Sequence, residues 1–312
     1  MKKTAIESAQ EAATKTKEIL DNTLSLRNAL AEYKELAQDG VIDTSELSKA
    51  KDIQTQINSL IGSQAKSYDI LNGKVKDNVA LLSQASAAYL QTQLSAMKVQ
   101  VANAASGVKT AVGDGTFMSP STSTGLFSFG DDERGASVEK YINNSMSKYA
   151  SRLLVGGKAQ TRLSVFSSYS IEEILDFYDK LKGLQSLFAD LYSTEELSAN
   201  TAYSSINTVL TALTPTITAY TDALQNQYDV EANLLLLQDG FLDKKFANTD
   251  ALDKYIDSLA RAKGLTSEQT QALKEAAYAY DEFYDVVKKR RSIRGFAPDP
   301  IPEDAVRRIA NA

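Results

Sequence analysis

Apolar side chains along this chain return at steps of three and four residues, and almost nothing alternates with a period of two, so the pattern predicts helices and an all-α fold up to about residue 290. From Thr4 to Gln38 the positions Ile6, Ala9, Ala13, Leu20, Leu24 and Leu30 recur among Lys, Glu, Gln and Thr, as on a long amphipathic helix ending at Asp39-Gly40. Asp43 with Glu46 reads as a capping box. Behind it Leu47, Ala50, Ile53, Ile57 and Leu60 predict a second helix stopping near Gly62, antiparallel to the first because the turn is short. Val75, Val79, Leu82, Ser86, Tyr89, Leu94, Met97, Val101 and Ala104 then hold a nearly heptad spacing, the clearest helical signal in the chain.

Between Gly107 and Ala136 the pattern dissolves into Gly, Ser, Thr and Asp, which predicts a flexible linker. Phe117, Leu126, Phe127 and Phe129 are unusual in such a segment and suggest that it docks on something. Helical periodicity resumes after a second capping box, Ser170 with Glu173, along Ile174, Phe177, Tyr178, Leu181, Leu184, Phe188 and Leu191. Pro215 is expected to kink or break the following helical stretch. Ile217 to Gln238 leads to Asp239-Gly240, and two more helices are predicted at about Asp250 to Lys263 and Ser267 to Lys289, the latter opened by Thr266 with Gln269.

These segments divide the chain into a helical hairpin or coiled-coil region at 1–106, the linker at 107–136, a second helical region at 137–282 and a distinct segment at 283–312. The predicted architecture is one of extended helical hairpins or a coiled-coil bundle. One internal echo crosses it: Leu36-Ala37-Gln38-Asp39-Gly40-Val41-Ile42-Asp43 returns as Leu236-Leu237-Gln238-Asp239-Gly240-Phe241-Leu242-Asp243. Asp39, Gly40, Ile42, Asp43 and Glu46 fall where the second half of an EF-hand loop puts its ligands. The first half fails, with Glu35 and Ala37 at positions one and three, so a helix C-cap is the better reading.

Composition narrows the chemistry. The 312 residues contain no cysteine and no histidine, which excludes disulfides, thiolate zinc sites, imidazole metal ligation and Cys- or His-based nucleophilic catalysis. With 40 acidic against 34 basic residues and a net charge of -6, no global positive field draws the chain to nucleic acid or anionic lipid. No apolar run approaches the roughly 20 residues needed to span a bilayer, and Glu7, Gln10 and Glu11 stand where a secretory leader needs an apolar stretch. A cytoplasmic protein without a membrane span is expected, with protein partners or self-association through its amphipathic helices.

Several side-chain groups have bland readings. Glu172, Glu173, Asp176 and Asp179 form an acidic helix face, Tyr278, Tyr280 and Tyr284 with Phe283 a packing stripe, and Gly156-Gly157-Lys158 a turn. The exception is Lys288 to Arg294, Lys-Lys-Arg-Arg-Ser-Ile-Arg, a basic cluster on an acidic chain. Such a run is usually a solvated helix end, but two arginines and a serine hydroxyl also suit a phosphate. In order of residues, Phe283 to Ala312 resembles the opening of the FMN-dependent nitroreductase family, where a helix leads into an Arg-Arg-Ser-x-Arg-x-Phe segment, a Pro-containing turn and a further helix. The resemblance implies that Arg290, Ser292 and Arg294, with Arg291 between them, hold the FMN phosphate, that Phe296 is the aromatic after the motif, and that Ile301-Pro302-Glu303 starts the next helix. It covers about a tenth of the chain. The expectation is therefore a truncated start of an α+β domain, with no bound cofactor and no enzyme activity for the chain as given, and FMN only if that domain were complete. Residues 1 to about 280 resemble in texture the helical stretches of phage tail tape-measure proteins: Gln-, Ala-, Ser- and Thr-rich helices broken by Asp-Gly-Val-Ile-Asp turns. A helical structural or interaction protein is the function this implies, the alternative being the N-terminal portion of an FMN-dependent NAD(P)H oxidoreductase carrying a helical arm.

Overall fold

The structure is a computed structural model that describes residues 4–36, 42, 44–62, 75–113, 133–149, 154–155, 158–159 and 168–294, with the side chains of 75–78, 154–155, 158–159 and 282–294 outside the description. The described residues are all-α apart from one two-residue strand pair. In chain order they form α1 (Ala5–Leu36), α2 (Leu47–Ile61), α3 (Val75–Gly113), α4 (Glu133–Ser145), β1 (Leu154–Val155), β2 (Lys158–Ala159), α5 (Ile171–Leu191), α6 (Thr194–Ala199), α7 (Thr201–Gln238), a 3-10 turn (Phe241–Asp243), α8 (Thr249–Lys263) and α9 (Ser267–Arg294). β1 and β2 pair antiparallel, Leu154 with Ala159 and Val155 with Lys158.

Helix ends follow local chemistry. At α5 the Ser170 hydroxyl accepts from the Glu173 amide at 3.2 Å while the Glu173 carboxylate accepts from the Ser170 amide at 2.9 Å, satisfying two of the donors a helix N-terminus leaves open. Thr266 and Gln269 make the same reciprocal pair at α9, as the spacing predicts. A third box, Ser193 with Glu196, opens the six-residue α6. α8 starts on the Asn248 side chain, which accepts from the Ala251 amide, and ends at Gly264 with Arg261 and Lys263 in the last turn, where cations suit the negative end of the macrodipole. α2 begins at Leu47, after a turn over Thr44 to Glu46, and Glu46 at its N-cap makes no side-chain cap bond; Asp43 of the expected box lies outside the described residues.

Four expectations are corrected. α3 continues to Gly113 with Val108, Ala111 and Val112 buried, and α4 begins at Glu133, so residues 107–113 and 133–136 are helix rather than linker; 114–132 lie outside the described residues. Pro215 does not break α7, which runs from Thr201 to Gln238. A proline removes the donor to the carbonyl four residues back. That carbonyl belongs to Thr211, an exposed residue whose oxygen water can serve, while the hydroxyls of Thr214 and Thr216 donate to the carbonyls of Leu210 and Leu213. Finally, the buried face of α1 keeps Ala9 and Leu30 of the expected stripe but not its other members. It runs through Ala9, Ala12, Thr16, Thr23, Leu26, Leu30 and Tyr33, while Ile6 is exposed and Ala13, Leu20 and Leu24 only half-buried. On α3 the seam passes through Leu90 rather than Tyr89. Ser86, Leu90 and Leu94 are spaced four and four, and the alternation of three and four returns at Met97, Val101, Ala104 and Val108.

The chain forms two compact units, each assembled from separate segments: Met1–Leu20 with Leu94–Gln227, and Asp21–Gln93 with Tyr228–Ala312. The first has one hydrophobic core drawn from Ala12 of α1, Val101 to Val112 of α3, Val138 and Ile142 of α4, Ile174 to Phe188 of α5 and Ala202 to Ala223 of α7. Its packing is tight at two glycines. A Cβ on Gly107 would stand 2.9 Å from the Ala9 Cβ and 3.0 Å from the Ala5 carbonyl oxygen, so α1 and α3 approach each other there without room for a methyl group. At Gly183 an added Cβ would fall on the Tyr141 hydroxyl, which donates to the Lys180 carbonyl at 3.1 Å. The α1 threonine is accommodated because its hydroxyl donates to the Ala13 carbonyl at 2.8 Å and accepts from the Asn226 amide at 3.1 Å. In the second unit α8 packs on α9, and Leu26, Leu30, Ile53, Ile57, Leu82, Leu236, Leu252, Ile256 and Leu273 are buried.

In an unconstrained helix Gly→Ala stabilises by about 1 kcal/mol. Overpacking a tight contact costs about 1 to 3 kcal/mol. We expect Gly107→Ala and Gly183→Ala each to destabilise the protein by about 1 to 2 kcal/mol net in urea denaturation; an increase in midpoint for either would show that its helix pair has slack.

Candidate functional site

The basic cluster singled out by sequence lies at the end of α9, whose backbone is helical through Arg294. The side chains of Arg290, Arg291, Ser292 and Arg294 lie outside the described residues, as do Phe296 and 301–303. The last turn of a helix presents carbonyls rather than amides, and the macrodipole there favours the cations themselves. A phosphate at this position would be held by side chains without help from backbone donors.

The acidic face of α5 is committed to the fold. Glu173 caps its own helix and pairs with Lys148 at 2.7 Å, and Asp176 pairs with Lys180 at 3.0 Å and accepts from the hydroxyl of Tyr149, which also lies 3.1 Å from the Glu173 carbonyl. That bond draws the Asp176 carboxyl below its ordinary value. Burial first, then Asp176, pushes the Tyr149 hydroxyl up. No group of three or more acidic side chains suited to a metal ion occurs among the described residues. The second copy of the repeated octapeptide is a helix stop: Gly240 takes the left-handed conformation at φ 68°, and Asp239 accepts from the Tyr255 hydroxyl and pairs with Lys244 at 3.4 Å. Its carboxylate is therefore engaged, and in the first copy residues 37–41 and 43 lie outside the described ones.

Where this second copy meets α1 and α9, the second unit closes a cavity of about 40 Å³ lined by Lys34, Phe241, Lys244, Lys245, Phe246, Tyr280 and Asp281. The rings of Phe241, Phe246, Tyr255 and Tyr280 stand together, with Phe241 5.5 to 5.9 Å from each of the other three. Lys34 enters this aromatic group from α1. Its ammonium donates to the Lys244 carbonyl at 3.2 Å and lies 5.8 Å from the Phe241 ring centre. Burial pushes its pKa down to about 8, and Lys245 adds to that shift, whereas Asp243 and Asp281 oppose it. Tyr280 is 6% exposed, and its hydroxyl has no hydrogen-bond partner among the described residues. A buried donor without a partner costs about 1 to 3 kcal/mol, and the charge that acts on this hydroxyl is the Arg27 guanidinium on α1. Sequence reasoning missed the cavity because Lys34 and Lys244 are 210 residues apart. The only local signal was Lys244-Lys245 set between two phenylalanines directly after the repeated turn.

Comparison with known proteins finds no family model, no curated protein and no solved structure that matches this chain. No described helix is long and apolar enough to cross a membrane.

The Lys34 shift carries a sign. Between pH 8 and the ordinary lysine value of 10.5 the unfolded chain binds the proton that the folded chain has lost, so this group makes stability rise with pH across that window. Below it the cost of burying the charge is fully present. We expect Lys34→Met to raise stability at pH 7, by about 1 to 3 kcal/mol, and the advantage to shrink as pH rises through the window, measured by urea denaturation at a series of pH values. A loss of stability at pH 7 would mean that its bond to the Lys244 carbonyl outweighs its burial.

Proposed function

We propose that the chain is a helical structural or interaction protein, of the kind its texture suggests in phage tail tape-measure proteins, acting through the length and the faces of its helices. The observation that carries this reading is continuity: α1, α3 and α7 run unbroken for 32, 39 and 38 residues, and a proline in the third does not interrupt it. At 1.5 Å per residue these are about 48 to 58 Å long, several times the average globular helix of ~12 residues. Small buried residues, Ala9, Ala12 and Thr16 on α1 and Ser86 and Ala104 among larger ones on α3, let helix backbones come close, the property needed for packing against further helices. Sedimentation and thermal denaturation test this: self-association predicts a melting temperature that rises with protein concentration. An unchanged melting temperature over a wide dilution range, with monomeric mass, counts against it.

The residues at 283–312 favour a second reading, an FMN-dependent NAD(P)H oxidoreductase of nitroreductase type with a helical localisation or oligomerisation arm. Charge-assisted contacts from Arg290, Ser292 and Arg294 bring about 1.5 to 3 kcal/mol each before screening, and micromolar binding requires about 8 kcal/mol net. A phosphate grip without a pocket for the flavin ring falls short of that, so we expect the 312-residue chain not to retain FMN when titrated and followed by flavin fluorescence. Stoichiometric binding, weakened more for FMN than for riboflavin by Arg290→Ala, would favour the second reading instead.

A further inference from the structure

The repeated octapeptide is the end of a longer repeat. At the same separation of 200 residues, Ile6, Ala12, Thr14, Thr16 and Leu24 of α1 return as Ile206, Ala212, Thr214, Thr216 and Leu224 of α7. The local structure repeats with them. Thr16 and Thr216 are both fully buried, and each hydroxyl donates to the carbonyl three residues back, Ala13 at 2.8 Å and Leu213 at 2.9 Å. Thr14 and Thr214 each donate to the carbonyl four residues back, Gln10 at 2.9 Å and Leu210 at 2.6 Å. Ala9, Leu30 and Leu36 are buried, as are their counterparts Val209, Val230 and Leu236. α1 is thus an internal reference for α7. Between the two threonines, however, α1 carries Lys15, paired with Glu11 at 3.0 Å, where α7 carries Pro215.

The threonine bonds are not there to repair the proline, because α1 makes them without one. Hydroxyls bonded back to their own helix weaken and bend it, and Pro215 adds a missing amide donor and a ring pressed against the Thr211 carbonyl. Weak helix formers crowd the same stretch, Thr208, Thr211, Thr218 and Thr221 besides the two already named, so α7 supports itself least between 208 and 221. Its attachment there is tertiary. Ile206, Leu210 and Leu213 enter the core of the first unit, and α5 adds two side-chain bonds: Gln185 donates to Asn207 at 2.6 Å, and the Tyr178 hydroxyl lies 2.8 Å from that of Thr214. The Thr214 proton is spent on the Leu210 carbonyl, so Tyr178 is the donor. A relay therefore runs from α5 through Thr214 to the carbonyl next to the one that Pro215 orphans. We propose that Pro215 makes α7 a hinged helix, with Thr214 to Thr216 as the hinge and the Tyr178 hydroxyl as its latch. With the latch open, the stretch from Thr201 to Thr214 parts from α5 while α7 beyond the hinge stays helical, and Ile206, Leu210 and Leu213 become accessible. α1, whose backbone ladder is complete at Lys15, does not open at the matching place. The hinge is independent of self-association.

The test is native-state hydrogen exchange of the full chain, read by mass spectrometry for the amides of Thr216 to Ala219 and, as a control within the same unit, of their counterparts Thr16 to Ile19. The hinge predicts exchange roughly tenfold or more faster in α7 than in α1, although Thr16 and Thr216 are equally buried. Pro215→Lys, which puts the residue of α1 into α7, should bring the two rates together. Tyr178→Phe, which keeps the ring and removes the latch, should speed the α7 amides about fivefold, in line with one lost hydrogen bond, and leave those of α1 unchanged. Should that variant not fold, the native comparison and Pro215→Lys decide the matter together. Equal rates in α1 and α7 of the native chain would overturn the proposal. So would a Pro215→Lys chain whose α7 still exchanges fast, or a Tyr178→Phe chain in which α7 is unchanged or both helices speed up alike.

Discussion

Close approach of helix backbones is the constraint on which the rest of this structure depends. Gly107 against Ala9 leaves no space for a methyl group, and the buried face of α1 continues through Ala12 and Thr16 toward larger residues only after Thr23. Such seams bury less apolar area per residue than leucine seams, which at ~25 cal/mol per Å² lowers the hydrophobic gain. What they supply instead is dense contact between the helices themselves. Thr16 at the seam costs little, because its hydroxyl bonds the Ala13 carbonyl and is bonded in turn by Asn226, so a polar group is buried without being orphaned.

A second theme is how a chain without histidine, cysteine or tryptophan orients its helices. Tyrosine hydroxyls bonded to aspartate carboxylates recur: Tyr149 with Asp176 in the first unit, Tyr255 with Asp239 and Tyr278 with Asp253 in the second. Each joins side chains on different elements, and each raises the tyrosine's pKa. The surrounding lysine pairs, such as Lys254 with Asp250 on the face of α8, are more exposed and contribute little individually. Directional bonds from rigid, half-apolar tyrosines thus do the positioning that surface ion pairs do not.

How legible this was depends on the range of the interaction. The caps at Ser170 and Thr266, the buried stripe from Ile174 to Phe188 and the stop at Gly240 are written within three or four residues, and the sequence pattern locates them correctly. The face of α1 was misjudged because threonine reads as polar while its hydroxyl is quietly satisfied by its own helix. Pro215 was misjudged because the carbonyl it orphans falls on the exposed Thr211. Gly107 reads as the first residue of a linker by composition, yet it is there so that α1 can come near. The cavity at Lys34 depends on residues from three distant segments, and no local pattern announces a lysine that burial has made less basic.

The tyrosine–aspartate bonds have an optical consequence. With 15 tyrosines and no tryptophan, all of the chain's intrinsic emission comes from phenol rings. A phenol bonded to a carboxylate in the ground state passes its proton to that partner on excitation and is dimmed as a tyrosine emitter. Tyr149, Tyr255 and Tyr278 are therefore dark reporters built into the helix contacts, one in the first unit and two in the second. Separation of the segment at Tyr149, which follows α4, from α5, or of α8 from its neighbours, lights them up, so that loosening of either unit is visible in the protein's own fluorescence without any label.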